Sequence, residues 1–534
     1  MPTTYALPKT IASAVALRAQ PAGQNGDLMQ LAGHTSAGDG GDGLFVYDDA
    51  TLLADDGATV VGKWLRQGVQ FLNVKHFGAV GGPGTVDDTA AVQATINASC
   101  ARYGYAALYF PWGNYRITAS LTFPSTCTAF VCRGERVFTL CSENIGSAIW
   151  CREVVGPVLD INNNFTTGIY SYQLESLTFD GSNGGGALST TCTGIIPMKP
   201  SNSPPTGYPC TYIHIDAVNV LNIATVGARA FDFSRSWWLL VENSFIGGIT
   251  NGYGIYINSS YIVSSMVTIR KTYLRGNLED VHIRSNVNSC LLDRCILEYS
   301  LVGLAVIMAS SVVARGCWFE SMGSDVGSLG HALSYKRGGS TDHINTAFYN
   351  YRSPVRFENC VFQTIYAGAE AWMEVDGTYS SADHGAPGTT IFDHCTYNDT
   401  ITKPFFSPAS ALSLNGGAIV MVNDTFSTGT TGCLGVSIPD ARCIADGTLG
   451  IVFSSTDVRP AKVKNGRFSY GFFPDNQYTG PLTEAPNGSL NLKGDRVLID
   501  QPAAGAYSEY VCVADGTSGD GYVGTWKGVG LVQA

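Results

Sequence analysis

LLVENSFI (239–246), VTIRKTYL (267–274), LLDRCILE (291–298), VARGCWFE (313–320), VRFENCVF (355–362) and TIFDHCTY (390–397) are six versions of one phrase. Each opens on alternating apolar residues, passes through a polar pair to a small residue, and leaves on a short apolar exit. Stacked, they put Ser244, Thr272, Cys295, Cys317, Cys360 and Cys395 in one column, which looser members extend to Leu177, Val218 and Thr425. Successive spacings are 41, 26, 28, 23, 22, 43, 35 and 30 residues. A self-similar period of this size marks a solenoid. The short spacings fit one coil of a parallel β-helix, and the longer ones fit coils that carry inserted loops.

A second pattern falls between the columns: FDFSRS (231–236), GIYINS (254–259), DVHIRS (280–285), LAVIMAS (304–310), HALSYK (331–336), WMEVDG (372–377) and ALSLNG (411–416). Each reads as a short strand with alternate residues inward and outward. Two recurring strands per coil, kept in phase over this length, exclude a sandwich or a barrel. The fold class is all-β, a right-handed parallel β-helix (a single-stranded solenoid). The column also accounts for the cysteines. A coil sets a small buried residue over its equivalent about 4.7–4.9 Å away, a stack that Cys and Thr fill without bonding to each other.

Fifteen cysteines, an odd number without a CxxC pair, agree with reduced, buried thiols. Charged residues are 14% of the 534, Gly is 62 of them, and the net charge is −11. Disorder is excluded by the apolar content, and a nucleic-acid partner by the missing basic footprint. No apolar run reaches the ~18–20 residues of a membrane helix, so no membrane insertion is expected. The start MPTTYALPKT lacks a basic, then apolar, leader, which points to folding in a cytosol. With eight His and no zinc-type cluster, no metal and no cofactor are expected. Asp39 with Asp42, and Asp48 with Asp49, are acidic enough for Ca²⁺ but lack the EF-hand spacing.

Residues 1–72 read as a turn-rich N-terminal attachment or cap region, with GDGGDG at 38–43. In the stretch VKHFGAVGGPGTVDDTAAVQATINASCARYGYAALYFPWGNYRI (74–117), Asp87 or Asp88 is placed to cap a helix near 88–101, whose Ala91, Val92 and Ile96 recur at helical spacing. Such a helix covers the open end of the solenoid, residues 73–429. Residues 430–534 read as a β-rich trimerisation or carbohydrate-binding domain.

Phe77-Gly78-Ala79, Asp87-Asp88-Thr89-Ala90 and Gln93 resemble the opening of the pectate-lyase-like β-helix in bacteriophage tailspikes, the capsule and O-antigen depolymerases. Gly82-Pro83 departs from the pattern where an acidic residue is usual. Gly488 to Asp500, and Tyr510-Val511-Cys512 to Trp526, are similar to a small β domain that follows some of these helices. The resemblance implies a homotrimer on the virion, joined to the phage tail or baseplate through its N-terminal region. It also implies binding, and often cleavage, of bacterial surface polysaccharide. No catalytic residue carries over by motif.

With apolar residues inward, the second strand's outward row is Asp232, Tyr256, His282, Ala305, Ser334, Glu374 and Ser413. Hydrolysis needs two carboxylates about 5–5.5 Å apart for retention or about 6.5–9.5 Å apart for inversion. Glu279 with Asp280 is the first candidate pair, Glu374 with Asp376 the second, and Asp232 a supporting carboxylate. Tyr256, His282, Arg284, Arg235, Trp237, Trp238 and Lys336 are the candidate glycan contacts. An endoglycosidic hydrolase is the leading expectation. The alternatives are a lyase acting by β-elimination on a uronic-acid polymer, with Tyr256, His282 and Arg284 as its machinery, and an adhesin that does not cut.

Overall fold

The computed structural model describes residues 8–398 except 69, 83, 136–145, 162–170, 197–209, 259–263, 285–286, 308, 310, 323–345, 352–354, 366–372 and 377–389, together with ten strands between 406 and 531. The chain divides into two units, Met1–Ile257 and Asn258–Ala534.

The first unit begins with a five-stranded sheet built from Lys9–Ile11, Leu28–Leu31, Gly43–Tyr47, Val60–Val61 and Trp64–Arg66. Ile11, Leu17, Leu31, Phe45, Val61 and Trp64 form its core. The turn at GDGGDG is tied by Asp39, whose carboxylate accepts the backbone N–H groups of His34, Thr35, Ser36 and Gly41. Those four bonds, two to each oxygen, hold the loop closed around that carboxylate.

The helix runs Thr89–Tyr103 and ends at Gly104, whose φ of 73° is the left-handed conformation a helix stop requires. Asp88 stands at the N-cap, yet its side chain reaches elsewhere, accepting Val80 N–H at 2.7 Å and Gly81 N–H at 3.3 Å. Asp87 accepts the N–H of Thr89 at 3.0 Å. The two carboxylates therefore divide the work: one caps the helix and the other pins the preceding turn to it. Val92, Thr95, Ile96, Ser99 and Cys100 form the buried face.

Each coil has three strands, where the sequence shows two patterns. The phrase around the column is itself two strands joined by a tight corner. In the first unit the first sheet contains Ala106–Phe110, Ala129–Gly134, Ser171–Glu175, Tyr212–Asp216 and Trp237–Glu242, all parallel. The second contains Gly113–Arg116, Ser147–Trp150, Leu177–Asp180, Asn219–Ile223 and Phe245–Ile249. Arg229–Asp232 and Tyr253–Asn258 begin the third. The second unit repeats the same coil through Phe406–Ser407 in the third sheet and Ala418–Val422 in the first.

The corner between first and second strands is left-handed at Ser176, Ala217, Asn243, Lys271, Arg294, Gly316, Asn359 and His394, with φ between 48° and 59°. A non-glycine residue there costs about 1–2 kcal/mol. The next position is the column, where Ser244, Thr272, Cys295, Cys317, Cys360 and Cys395 are all buried. The thiols of Cys295, Cys317, Cys360 and Cys395 donate to carbonyls of the preceding coil, Ile269, Leu292, Ala314 and Phe357. All eleven described cysteines are buried, and none of them is in a disulfide. Thr425 pairs with Thr396 and so lies one position beyond the column.

The third sheet corrects two strand assignments. Val302–Ile307 pairs with Thr346–Tyr351, which takes the place expected for HALSYK, and Met373–Asp376 pairs with Phe406–Ser407 in place of ALSLNG. Residues 331–336 and 411–416, with Lys336, Ser334 and Ser413, lie outside the described residues. At the end of the second unit, Thr479–Gly480, Arg496–Ile499, Tyr507–Ala514 and Thr525–Leu531 form a four-stranded sheet with Cys512 opposite Trp526.

Candidate active site

Within each unit the described part of the row expected to face solvent is in register, and those of its residues whose burial is described are covered. Asp232 pairs with Tyr256 in the first unit, and both are buried. In the second unit His282 pairs with Ala305, then come Tyr349 and Glu374. Glu279, Asp280, His282 and Ala305 are all buried. His282 Nδ1 stands 2.6 Å from a Glu279 oxygen. Arg235 is buried, whereas Arg284, Trp237 and Trp238 are exposed. Glu374 and Asp376 lie on strand Met373–Asp376, and their side chains are outside the described residues.

Alternation along a strand separates two faces, but it does not say whether the outer one meets water. For Asp232, Tyr256 and His282 it does not, and the flanking Glu279 and Asp280 are buried as well. Asp280 is the clearest case. One oxygen accepts from Asn277 Nδ2 at 2.7 Å and Ser300 Oγ at 2.6 Å; the other has no hydrogen-bond partner among the described residues. Burial lifts this carboxyl well above the usual carboxylate range, against the two hydrogen bonds that pull it down.

The folded chain thus keeps a proton that the unfolded chain loses near pH 4. Stability from this group is greatest at acid pH and falls as pH rises toward the folded pKa. Asp280→Asn is expected to remove that decline. Denaturant midpoints from pH 4 to pH 8 should show the variant gaining on the wild type as pH rises; parallel curves would refute the assignment.

A different set of side chains does meet at solvent, on the first sheet of the first unit. In Tyr212–Asp216, Ile213 and Ile215 point into the core, which turns Tyr212, His214 and Asp216 outward. In Trp237–Glu242, Leu239 and Val241 point in, which turns Trp238, Leu240 and Glu242 outward. Ser171–Glu175 does the same with Gln173 and Glu175. Register sets Glu175 beside Asp216 and Asp216 beside Glu242. Three carboxylates therefore stand in line, about 4.8 Å apart per strand, with no cation between them in the row.

Histidine and amides hold the line in place. Gln173 Nε2 lies 3.2 Å from His214 Nδ1 and also donates to Glu175. His214 Nε2 lies 3.0 Å from Glu242 Oε1. Because an amide nitrogen only donates, these partners assign the His214 proton to Nε2, from which it is donated to Glu242. Asn243 Nδ2 donates to Asp216 at 2.9 Å, and Arg133 Nε is 3.5 Å from Glu175. One atom each of His214, Asp216 and Glu242 lie within 4.8 Å of one another, and these are also the described residues spaced to share a cation. At the start of the same strands Tyr212 and Trp238 expose their rings 5.9 Å apart. Trp238 is four residues from Glu242, roughly 13 Å along a strand.

Across its full length the chain superposes on the Acinetobacter phage vB_ApiP_P1 tailspike protein, with a TM-score of 0.51 at 16% identity, covering 98% of this chain and 91% of that one. The fold is that of the phage tailspikes. A second tailspike-fold neighbour is Pantoea stewartii WceF, described as a glycan biofilm modifying enzyme, with a TM-score of 0.50 at 14% identity over 73% of this chain and 52% of that one. Residues 71–275 match the family described as rhamnogalacturonase A/epimerase, pectate lyase-like, and residues 10–69 match the phage tail protein small four-stranded β-sheet domain. Mannuronan C5-epimerase AlgE2 of Azotobacter vinelandii is 32% identical over 129 residues, which are 23% of this chain. The tailspike-fold chain covers 12% of that relative's length.

The acidic row escaped the sequence reading although its signal was there. In the column phrase a carboxylate recurs two positions before the small residue: Glu175, Asp216, Glu242, Asp293, Glu358 and Asp393. In the second unit of the tailspike fold the row runs Arg270, Asp293, Arg315, Glu358, Asp393, so arginine alternates with carboxylate as far as Glu358, and Arg356, two residues before Glu358, reaches Asp393. From Glu175 to Glu242 they run uninterrupted.

Proposed function

We propose that this chain is a phage tailspike that binds a bacterial surface polysaccharide, capsule or O-antigen, and cleaves it by endoglycosidic hydrolysis at the Glu175–Asp216–Glu242 row. The observation that carries the reading is the run of three outward carboxylates with His214 among them and two exposed aromatic rings on the same face. Sugar rings stack on aromatic faces, and the cut needs one carboxyl as acid and another as nucleophile or base.

Asp216 and Glu242 are register neighbours one strand spacing apart, which is nearer the separation used for retention than that used for inversion. Asp216 is assigned as nucleophile and Glu242 as acid and base, with His214 Nε2–H holding one Glu242 oxygen so that the other faces the glycosidic oxygen. The small N-terminal sheet supports attachment to the phage tail. A homotrimer displayed on the virion follows from the same reading.

Elimination is the second reading, favoured by the match over residues 71–275 to a pectate lyase-like and epimerase family. Purified protein is to be incubated with acidic and neutral bacterial capsules, and the products analysed by size, reducing ends and ultraviolet absorbance. Shorter chains with new reducing ends and no absorbance are expected. Absorbing products point to elimination; binding without shortening removes the enzyme.

A further inference from the structure

We propose that a cavity at the start of the first sheet is a remote subsite of the Glu175–Asp216–Glu242 face and takes an uncharged pyranose of the polymer; the proposal rests on the polysaccharide reading above. The cavity, about 800 Å³, is lined by Gly68, Gln70, Phe71, Tyr109, Arg133 and Glu135. Its size is within the range of small-ligand sites, about 300–1,000 Å³.

Two features tie it to that face. Tyr109 pairs with Arg133, Arg133 with Glu175, and Glu175 with Asp216, so the lining stands on the same outward row as the acidic cluster. Arg133 is two strands from Asp216, roughly 10 Å. A polymer laid along the row toward the N-terminal sheet reaches the cavity without leaving the surface.

The lining also selects the ligand's charge. Arg133 and Glu135, of opposite charge, both line it. The Glu135 carboxylate accepts from the Tyr109 hydroxyl and from Trp112 N–H at 3.1 Å, which fixes the Tyr109 ring. Burial and that bond push the Tyr109 hydroxyl up to about 12, so it remains a donor. The Arg133 side chain is 58% exposed, and its ion pair among the described residues is the 3.5 Å approach of Nε to Glu175. Its remaining N–H groups are available to sugar hydroxyls, Gln70 is exposed beside them, and Phe71 and Tyr109 supply ring faces. A uronate in this place sets its carboxylate against Glu135 and Glu175 as well as Arg133; a neutral pyranose meets donors, an acceptor and rings without that repulsion.

The test is ligand-observed saturation-transfer NMR with methyl glucopyranoside, methyl galactopyranoside, N-acetylglucosamine and sodium glucuronate. Neutral sugars are expected to show transfer that exceeds glucuronate's. Gln70→Trp, which fills the cavity from an exposed position, and Arg133→Gln should each cut it by about tenfold, the loss of one good contact, with melting midpoints unchanged. Equal transfer in wild type and both variants, preference for glucuronate, or no transfer to the wild type overturns the subsite. Asp216→Asn separates the two readings. If it keeps the sugar signal while the wild type cleaves no polymer, the cleavage reading fails alone; if the wild type cleaves without a cavity signal, the subsite fails alone.

Discussion

Asp216→Asn and Glu242→Gln are each expected to lower the rate of polysaccharide cleavage by about 10²–10⁴-fold, the contribution of a positioned acid, base or nucleophile. Both side chains are partly exposed on the outward row, so an amide of the same shape leaves the column and the core untouched. The loss should appear in turnover, with binding of the polymer retained, because the aromatic pair Tyr212 and Trp238 and the rest of the row remain. Reducing-end release at saturating polysaccharide measures it. Glu279→Gln provides the contrast: Glu279 is buried beside His282, and its change should alter stability rather than turnover. Cleavage that survives Asp216→Asn and Glu242→Gln but disappears with Glu279→Gln would return the active site to the third sheet.

The largest expected loss of stability is at Asp232. Its carboxylate is fully buried and accepts from Ser234 N–H at 3.0 Å, Ser234 Oγ at 2.5 Å and Arg229 Nη1 at 2.5 Å. Arg229 also lies over the Tyr256 ring, 3.8 Å from its centre. Asp232→Ala removes the anion and leaves a mostly buried guanidinium without its carboxylate, a change that costs about 3–5 kcal/mol. Asp232→Asn keeps an acceptor for Ser234 and should cost less, about 1–3 kcal/mol. Urea unfolding midpoints compare the two variants. Activity per folded molecule is expected to be unchanged, since Asp232 reaches no solvent. Alanine and asparagine variants as stable as the wild type would show that the buried pair contributes nothing.

Glu242 and Asp232 mark the line between what is written in the chain and what emerges from its folding. The coil was legible because a solenoid repeats its local chemistry: apolar alternation, a left-handed corner and a small buried residue return at Ser244, Thr272, Cys295, Cys317, Cys360 and Cys395. The cap helix was legible because its turn, its carboxylates and its apolar spacing are adjacent along the chain. The third strand of each coil was harder. Long insertions separate Val302–Ile307 from its partner Thr346–Tyr351, and a strand-like run inside such an insertion has the same period of two.

The site itself needed the tertiary structure. Glu175, Asp216 and Glu242 are 41 and 26 residues apart in sequence, and only the register of parallel strands makes them neighbours. Asp232, Tyr256 and His282 show the converse: their outward assignment followed from alternation, and their burial did not. Alternation is a local property that each strand sets by itself. Exposure of the outer face is not local, because it depends on what distant parts of the chain lay over it. The sequence alone therefore determined the coil, its buried column and its cap, while packing between residues far apart in the chain decided which row of carboxylates meets the substrate.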